Sequence, residues 1–270
     1  MDDRGLRLIV LIKQVPDIEK VRFDHEKGRI DRSSAEATTN PFDLNALEVA
    51  VQLKEKFGGI VTALSMGPPQ AESTLRDALS RGADRGILLT DLRFAGADTL
   101  ATSYTLASAI RKLGPFDLVV CGEKTVDGDT AQVGAEVAEH LGIPHVAYVC
   151  EVKEVVREGI IVTSRMGKGY YTYLLRFPGL ITVTKDVNVP RLPTLRDTIK
   201  ARRAQITVWT AEDLSDVALL EKFGISGSPT QVVRVFTPST EGRKGKLLQG
   251  SAEDIAKELA GILRQLGVLR

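Results

Sequence analysis

The 270-residue chain sets 36 Lys and Arg against 35 Asp and Glu, a net charge of +1 with both signs spread along it. That balance argues against a dedicated nucleic-acid binder, and a hydrophobic fraction of 43% suffices for one large domain with an appendage. No apolar run is long enough to span a bilayer and no signal-peptide pattern opens the chain. The expected setting is the cytoplasm, with any membrane-surface contact made through a partner complex.

In chain order, "LRLIVLIKQV" predicts a near-continuous apolar strand covered on both faces. "VRFDHEKGRID" predicts a short hairpin turning at Lys27-Gly28. The spacing of Ala46, Ala50, Leu53 and Phe57 predicts a helix ended by glycines. "IVTALSMG" is the next strand and "PPQAESTLRDALSRG" the next helix, with prolines at its start and Gly82 at its end. "RGILLT" and "FDLVVCG" predict two more strands. Each precedes a helix, "DTLATSYTLASAIRKLG" with Leu106, Ala109, Ile110 and Leu113 on its apolar face, and "DTAQVGAEVAEHLG". Strands alternating with helices define a doubly wound, mostly parallel α/β sheet.

After residue 144 helical periodicity fades, and runs broken at Glu158-Gly159, Gly167–Gly169 and Pro178-Gly179 predict antiparallel strands added to the sheet edge. "NVPRLPTLRDTIKARRAQI" reads as an irregular excursion with a short helix. An "EDL" turn, a strand "QVVRVFT", a basic loop and a final helix "SAEDIAKELAGILRQLG" follow. Residues 1–185 are expected to form the α/β domain and 186–270 a recognition loop and C-terminal arm. The arm fits packing on a partner subunit, a second domain or a surface tail alike.

Missing motifs remove most enzyme classes. His25, His140 and His145 lack metal-ligand spacing and there is no C-x-x-C pair. Cys121 and Cys150 lie in apolar runs and are expected as buried reduced thiols. No G-x-S-x-G elbow, dinucleotide fingerprint or Walker lysine is present. No catalytic residue is assigned, so any redox chemistry falls to a bound cofactor.

The loops at the carboxyl ends of the strands remain, where open α/β sheets bind ligands. They are "IKQVPD", "NPFDLNALE", "SMGPP" and "GEKTVDGDTAQVG", which converge on one crevice suited to a nucleotide. Phosphate there is held by helix N-terminal amides, so the loop tolerates its acids. Asp129 suits an N-cap, Asp127 a ribose hydroxyl or a turn, and Gly128 a positive φ close to the ligand. Thr130 and Gln132 suit a pyrophosphate or adenine edge. A purely structural strand–turn–helix joint fits the same spacing, and "NPFDLNALE" fits a structural helix start better than a ligand loop. Lys13, Arg165, Lys168 and the run Lys200, Arg202, Arg203 fit solvated faces.

Taken together, "VLIKQVPD", "NPFDLNALEVAVQLKE", "ALSMGPPQAESTLRDALSRGADRGILL", "DLVVCGEKTVDGDTAQVG" and "VPRLPTLRDTIKARR" closely resemble the beta subunit of electron transfer flavoprotein, in order over nearly the whole chain. The resemblance implies a Rossmann-like, adenine nucleotide alpha hydrolase-like fold, an alpha-subunit partner whose FAD carries electrons, and an adenine nucleotide in this chain. Its contacts would be Leu11, Asn40, Pro41, Phe42, Asp43, Met66, Gly122, Glu123, Lys124, Thr125, Val126, Asp127, Gly128, Asp129, Thr130, Ala131, Gln132 and Val133.

Ordinary members carry a "DDDCNQTGQ"-like loop and structural AMP, and shuttle electrons from dehydrogenases to a quinone oxidoreductase. "VDGDTAQVG" resembles electron-bifurcating members, in which a second FAD replaces AMP, accepts hydride from NADH, and sends electrons toward a high-potential acceptor and toward ferredoxin or flavodoxin. Gly128 in place of an acid removes bulk and charge beside the pyrophosphate. "SRMGKGYYTYLLRFPGLITV" departs from the family's acidic signature in being basic and tyrosine-rich, and Ala135 stands where relatives often have Pro. "PRLPTLRDTIKA" resembles the family's recognition loop, with Leu195 as the anchor for a partner dehydrogenase. An ATP-pyrophosphatase relationship lacks support, because "KQVPD" stands where an S-G-G-x-D-S loop belongs.

Overall fold

A computed structural model describes residues 5–17, 22–24, 29–31, 37–230, 233 and 245–269. The predicted turn at Lys27-Gly28, His25 and nearly all of "QVVRVFT" lie outside the described residues. The chain divides into two compact units, residues 1–231 and 232–270.

In the first unit β1 (Leu6–Leu11) lies next to the central strand of a nine-stranded sheet. Its neighbours are β6 (Gly59–Met66) and β8 (Leu118–Gly122), both parallel to it. Beyond β6 come β7 (Arg85–Leu89) and the edge strand β13 (Thr207–Trp209), also parallel. The apolar run expected as one strand breaks at Ile12–Lys13. Residues 14–16 leave the sheet as β2 (Gln14–Pro16), pairing antiparallel with β5 (Ala37–Thr39). Between them, β3 (Arg22–Asp24) and β4 (Arg29–Asp31) form an antiparallel pair.

Alternation along β1 splits the core in two. Leu8, Val10 and Ile12 face α1 (Pro41–Phe57) and α2 (Glu72–Ser80), whereas Ile9 and Leu11 face α3 (Thr99–Leu113) and α4 (Val133–Leu141). Ala46, Ala50 and Leu53 are buried as their spacing requires. Pro41 opens α1, Gly58 closes it at φ 74°, and Asp98 caps α3 by accepting from the Ala101 amide at 3.0 Å.

The expected antiparallel addition is half parallel. β10 (Gly159–Met166) is antiparallel to both β9 (His145–Val156) and β11 (Gly169–Arg176). The chain then returns as β12 (Gly179–Val183), inserted between β8 and β9 and parallel to both. All five β12 residues are buried, as befits a strand covered on both faces.

Residues 186–231 fall in the first unit. There α5 (Leu195–Arg203) packs on α2, and β13 extends the sheet. The second unit holds α6 (Ala252–Gln265), capped by Ser251, which accepts from the Asp254 amide at 3.2 Å. None of its residues is buried, although Ile255, Leu259, Ile262 and Leu266 recur on one face. Among the described residues no helix is long and apolar enough to cross a membrane.

Candidate nucleotide site at the sheet crest

From β1 the chain builds outward through β6 and β7, then crosses back to place β8 on β1's other side. The gap between β1 and β8 is therefore the topological switch point, where doubly wound sheets open a crevice. The segments that follow β1 and β8, residues 12–16 and 123–132, flank it together with the start of α1.

Asp43 and Asn40 tie these segments together. Asp43 is buried, and its carboxylate accepts from the Lys13 amide at 2.8 Å and the Gly122 amide at 3.1 Å. Burial pushes its pKa up to about 7, against hydrogen bonds from Lys13, Asn40 and Gly122 that favour the anion. The Lys13 bond explains why the first strand stops where it does. The Asn40 side chain donates to the Lys124 carbonyl at 2.9 Å and accepts from the Val126 amide at 3.2 Å. Its own amide donates to the Lys13 carbonyl at 2.9 Å. A Cβ on Gly122 would lie 2.5 Å from Asp43 Oδ1 and 2.6 Å from Phe42 Cβ, so only glycine lets the end of β8 approach the first turn of α1 this closely.

The lysines are spoken for. Lys13 pairs with Asp127 at 2.7 Å and Lys124 with Asp129 at 2.6 Å. Lys124 also lies 5.8 Å from the centroid of the Phe42 ring. An anion here meets neutralised side chains and must be held mainly by main-chain groups. α4 supplies them: it begins at Val133 with no side-chain cap, so its first-turn amides lack intrahelical acceptors.

Two sequence expectations are corrected. Asp129 is not the N-cap; α4 starts four residues later, and Asp129 pairs with Lys124 instead. Gly128 does not take the positive φ. Asp129 (53°) and Ala131 (55°) take it, two strained non-glycine residues in the loop. A Cβ on Gly128 would meet only Thr125 Oγ1, at 3.4 Å.

Thr125, Thr130 and Gln132 stand on the same loop, with Thr130 and Gln132 exposed. Pro41 is exposed at the first turn of α1. Leu11, Met66 and Val133 pack toward the α3/α4 side of the core, so Leu11 offers the crevice main chain rather than side chain.

Beside the crest opens a cavity of about 560 Å³, within the ~300–1,000 Å³ typical of small-molecule sites. Phe42, Glu123 and Lys124 form its near wall. Its far wall comes from residues that the sequence reading did not assign: Tyr148, the turn at Arg165–Gly167, and Thr184–Asp186. Tyr148 holds φ 56° at a bulge where β9 slips register against β12, and its amide donates to Thr182 Oγ1 at 3.1 Å. Thr184 Oγ1 is buried without a hydrogen-bond partner among the described residues. Burial raises the Glu123 carboxyl above its usual range, and Asp186 and Asp129 add to that. The basic "SRMGKG" turn was the one available sequence signal for this wall.

A doubly wound sheet with main-chain donors and paired acids at its switch point has the layout in which open α/β sheets bind ligands. The family description "Electron transfer flavoprotein domain" matches residues 27–214. The electron transfer flavoprotein subunit beta of Thermoanaerobacterium thermosaccharolyticum is 43% identical over 98% of this chain and 100% of its own length. Protein FixA of Bradyrhizobium diazoefficiens is 45% identical over 93% of this chain and 88% of its own. The caffeyl-CoA reductase-Etf complex subunit CarD of Acetobacterium woodii is 39% identical over 98% and 100%. The chain belongs to the electron transfer flavoprotein family as a beta subunit, the kind that pairs with an alpha subunit.

Proposed function

We propose that this chain holds FAD rather than AMP at the crest, takes hydride from NADH, and forms the bifurcating half of a heterodimer. In that reading electrons leave toward a high-potential acceptor by way of an alpha-subunit FAD, and toward ferredoxin or flavodoxin. The cavity beside Phe42 carries the reading. AMP needs only the crest, whereas about 560 Å³ more lies alongside residues of the same site. Likeness to a subunit of a reductase–Etf complex adds support.

The donor set fits such a group. The uncapped first turn of α4 suits a diphosphate, and the orphan Thr184 Oγ1 suits a polar ring edge. When bound, FAD supplies the hydride and one-electron chemistry. The protein's own residues hold and orient it. Asp43 and Asn40 fix the crest segments, and the amides of Val133, Gly134 and Ala135 would hold the phosphates. Phe42 and Tyr148 offer apolar surface to a flat ring, and Lys185 sets positive charge in the cavity wall, where Arg165 pairs with Asp186 at 3.4 Å. The remaining crest residues, among them Leu11, Met66, Thr130 and Gln132, complete the contact set. Leu195 is the anchor for a partner dehydrogenase, and the exposed apolar face of α6 suits an arm packed on the alpha subunit.

Flavin counting on the purified heterodimer tests this. Two FAD per heterodimer, with bleaching by NADH, is the expected result. One FAD with one AMP and no response to NADH leaves the second reading, a carrier with structural AMP.

A further inference from the structure

The excursion at residues 188–199 places its apolar side chains outward. Val189 is 88% exposed, Leu192 83% and Leu195 78%, and Ile199, one turn after Leu195 on α5, is 44% exposed. A stretch kept for its own packing would bury these groups. Its polar groups instead turn inward. Arg191 grips two carboxylates of α1: Nε meets Glu48 Oε2 at 2.8 Å, Nη1 meets Glu55 Oε1 at 2.6 Å, and Nη2 reaches both residues. The Arg191 amide donates to Glu48 at 3.1 Å, and its carbonyl accepts from Arg81 at 2.6 Å. Asn45 and Asn188 exchange three hydrogen bonds just upstream. At the far end Arg76, gripped by Glu72, donates to the carbonyls of Ala201, Arg202 and Ala204.

Glu48 is buried, which works to raise its pKa, yet the bonds from Arg191 and Gln52 outweigh burial and hold it below its usual range. The clamp is therefore ionised and bidentate, a geometry that arginine makes and lysine does not. Around the apolar edge, α5 exposes Arg196, Lys200, Arg202 and Arg203 against the single carboxylate Asp197.

We propose that Arg191 is a positioning residue that holds Val189, Leu192, Leu195 and Ile199 as one preformed docking edge for a redox partner protein whose apolar pocket is ringed by carboxylates. Preformation lowers the ordering cost of association, and the cations of α5 speed encounter with an acidic rim. The inference rests on the electron-carrier reading and extends it from one leucine to a clamped surface.

The test uses the heterodimer and a purified dehydrogenase shown to exchange electrons with it, alongside a small dye that needs no docking. Arg191→Met is expected to raise KM for the dehydrogenase about tenfold while kcat, dye reduction and flavin content hold. Arg191→Lys should fall between the two, and salt should weaken docking of the parent protein. A raised KM in Leu195→Ala with no change in Arg191→Met would overturn the clamp and leave the carrier reading standing. Unchanged KM in both would overturn the docking edge itself. Loss of flavin or dye reduction in Arg191→Met, in step with the KM change, would reduce Arg191 to a structural brace. A KM indifferent to salt would remove the acidic rim.

Discussion

The crest loop at 123–132 and the excursion at 188–199 both carry exposed residues, yet they distribute polar and apolar groups in opposite ways. The crest spends its lysines on its own acids, Lys13 on Asp127 and Lys124 on Asp129, and leaves main-chain donors for a ligand. The excursion ties its polar groups to α1 and α2 and leaves leucines in the solvent. The first arrangement suits recognition of a small anion by backbone geometry, which demands close approach and tolerates strain. The second suits recognition of a protein by shape, which demands a fixed edge. Changes at the crest should therefore act on stability and nucleotide retention, and changes at the excursion on partner kinetics alone.

The most damaging crest changes fill space that is not there. Gly122→Ala drives a methyl group into Asp43 and Phe42. Gly134→Ala drives one to 2.6 Å from Thr182 Cγ2 and 2.8 Å from Cys121 Sγ. Each should cost about 2–3 kcal/mol and release bound nucleotide, seen as a lower midpoint in chemical denaturation and as free nucleotide after gel filtration. Asn40→Ala removes one donor and one acceptor between crest segments and should cost about 1–3 kcal/mol. If Asn40→Ala matched the parent protein in both measurements, the crest would not be pinned from α1.

Asp43 gives the comparison a pH axis. Burial raises the Asp43 carboxyl from its ordinary value of 3.8 to about 7 in the folded chain. Its stabilising contribution is full below the unfolded value and is lost as pH rises through about 7. Stability of the parent protein should thus fall between roughly pH 4 and 7, with a shallower slope in Asp43→Asn even though that variant starts weaker. Equal slopes in denaturation series across that range would remove Asp43 as the titrating group. The excursion, held by an ionised Glu48, should keep its docking constant over the same interval.

Legibility in the sequence followed the range of the forces involved. The central strands and α1, α3 and α4 were readable because burial patterns repeat within a few residues. So was the crest, because its loops sit at the ends of those strands. The break at Ile12–Lys13 was not, because it is made by Asp43 thirty residues on. β12 read as an edge addition because a short, fully buried five-residue run does not announce its neighbours. β13 was missed inside "QITVWT", three residues whose only sheet partner among the described residues is β7. The far wall of the cavity unites Tyr148, Arg165 and Thr184 through a bulge and a returning strand, so no local pattern contains it.

Gly128 shows the opposite error, a local rule applied where it did not hold. An Asp-Gly pair invites a positive φ at the glycine, yet freedom to adopt that conformation is not an obligation. Here the neighbours Asp129 and Ala131 carry it, held by the Asp129 amide on the Thr125 carbonyl at 2.9 Å and by the Lys124 pair. Gly128→Ala should therefore change stability by less than about 0.5 kcal/mol and leave nucleotide content intact, since its methyl group meets only a hydroxyl at contact distance. Gly128→Asp is the sharper variant, because it restores the acid of ordinary members without straining the backbone. If phosphate lies near position 128, the added charge should weaken FAD retention while the melting temperature holds. Full retention would place the diphosphate away from that position and leave the first turn of α4 as its only seat.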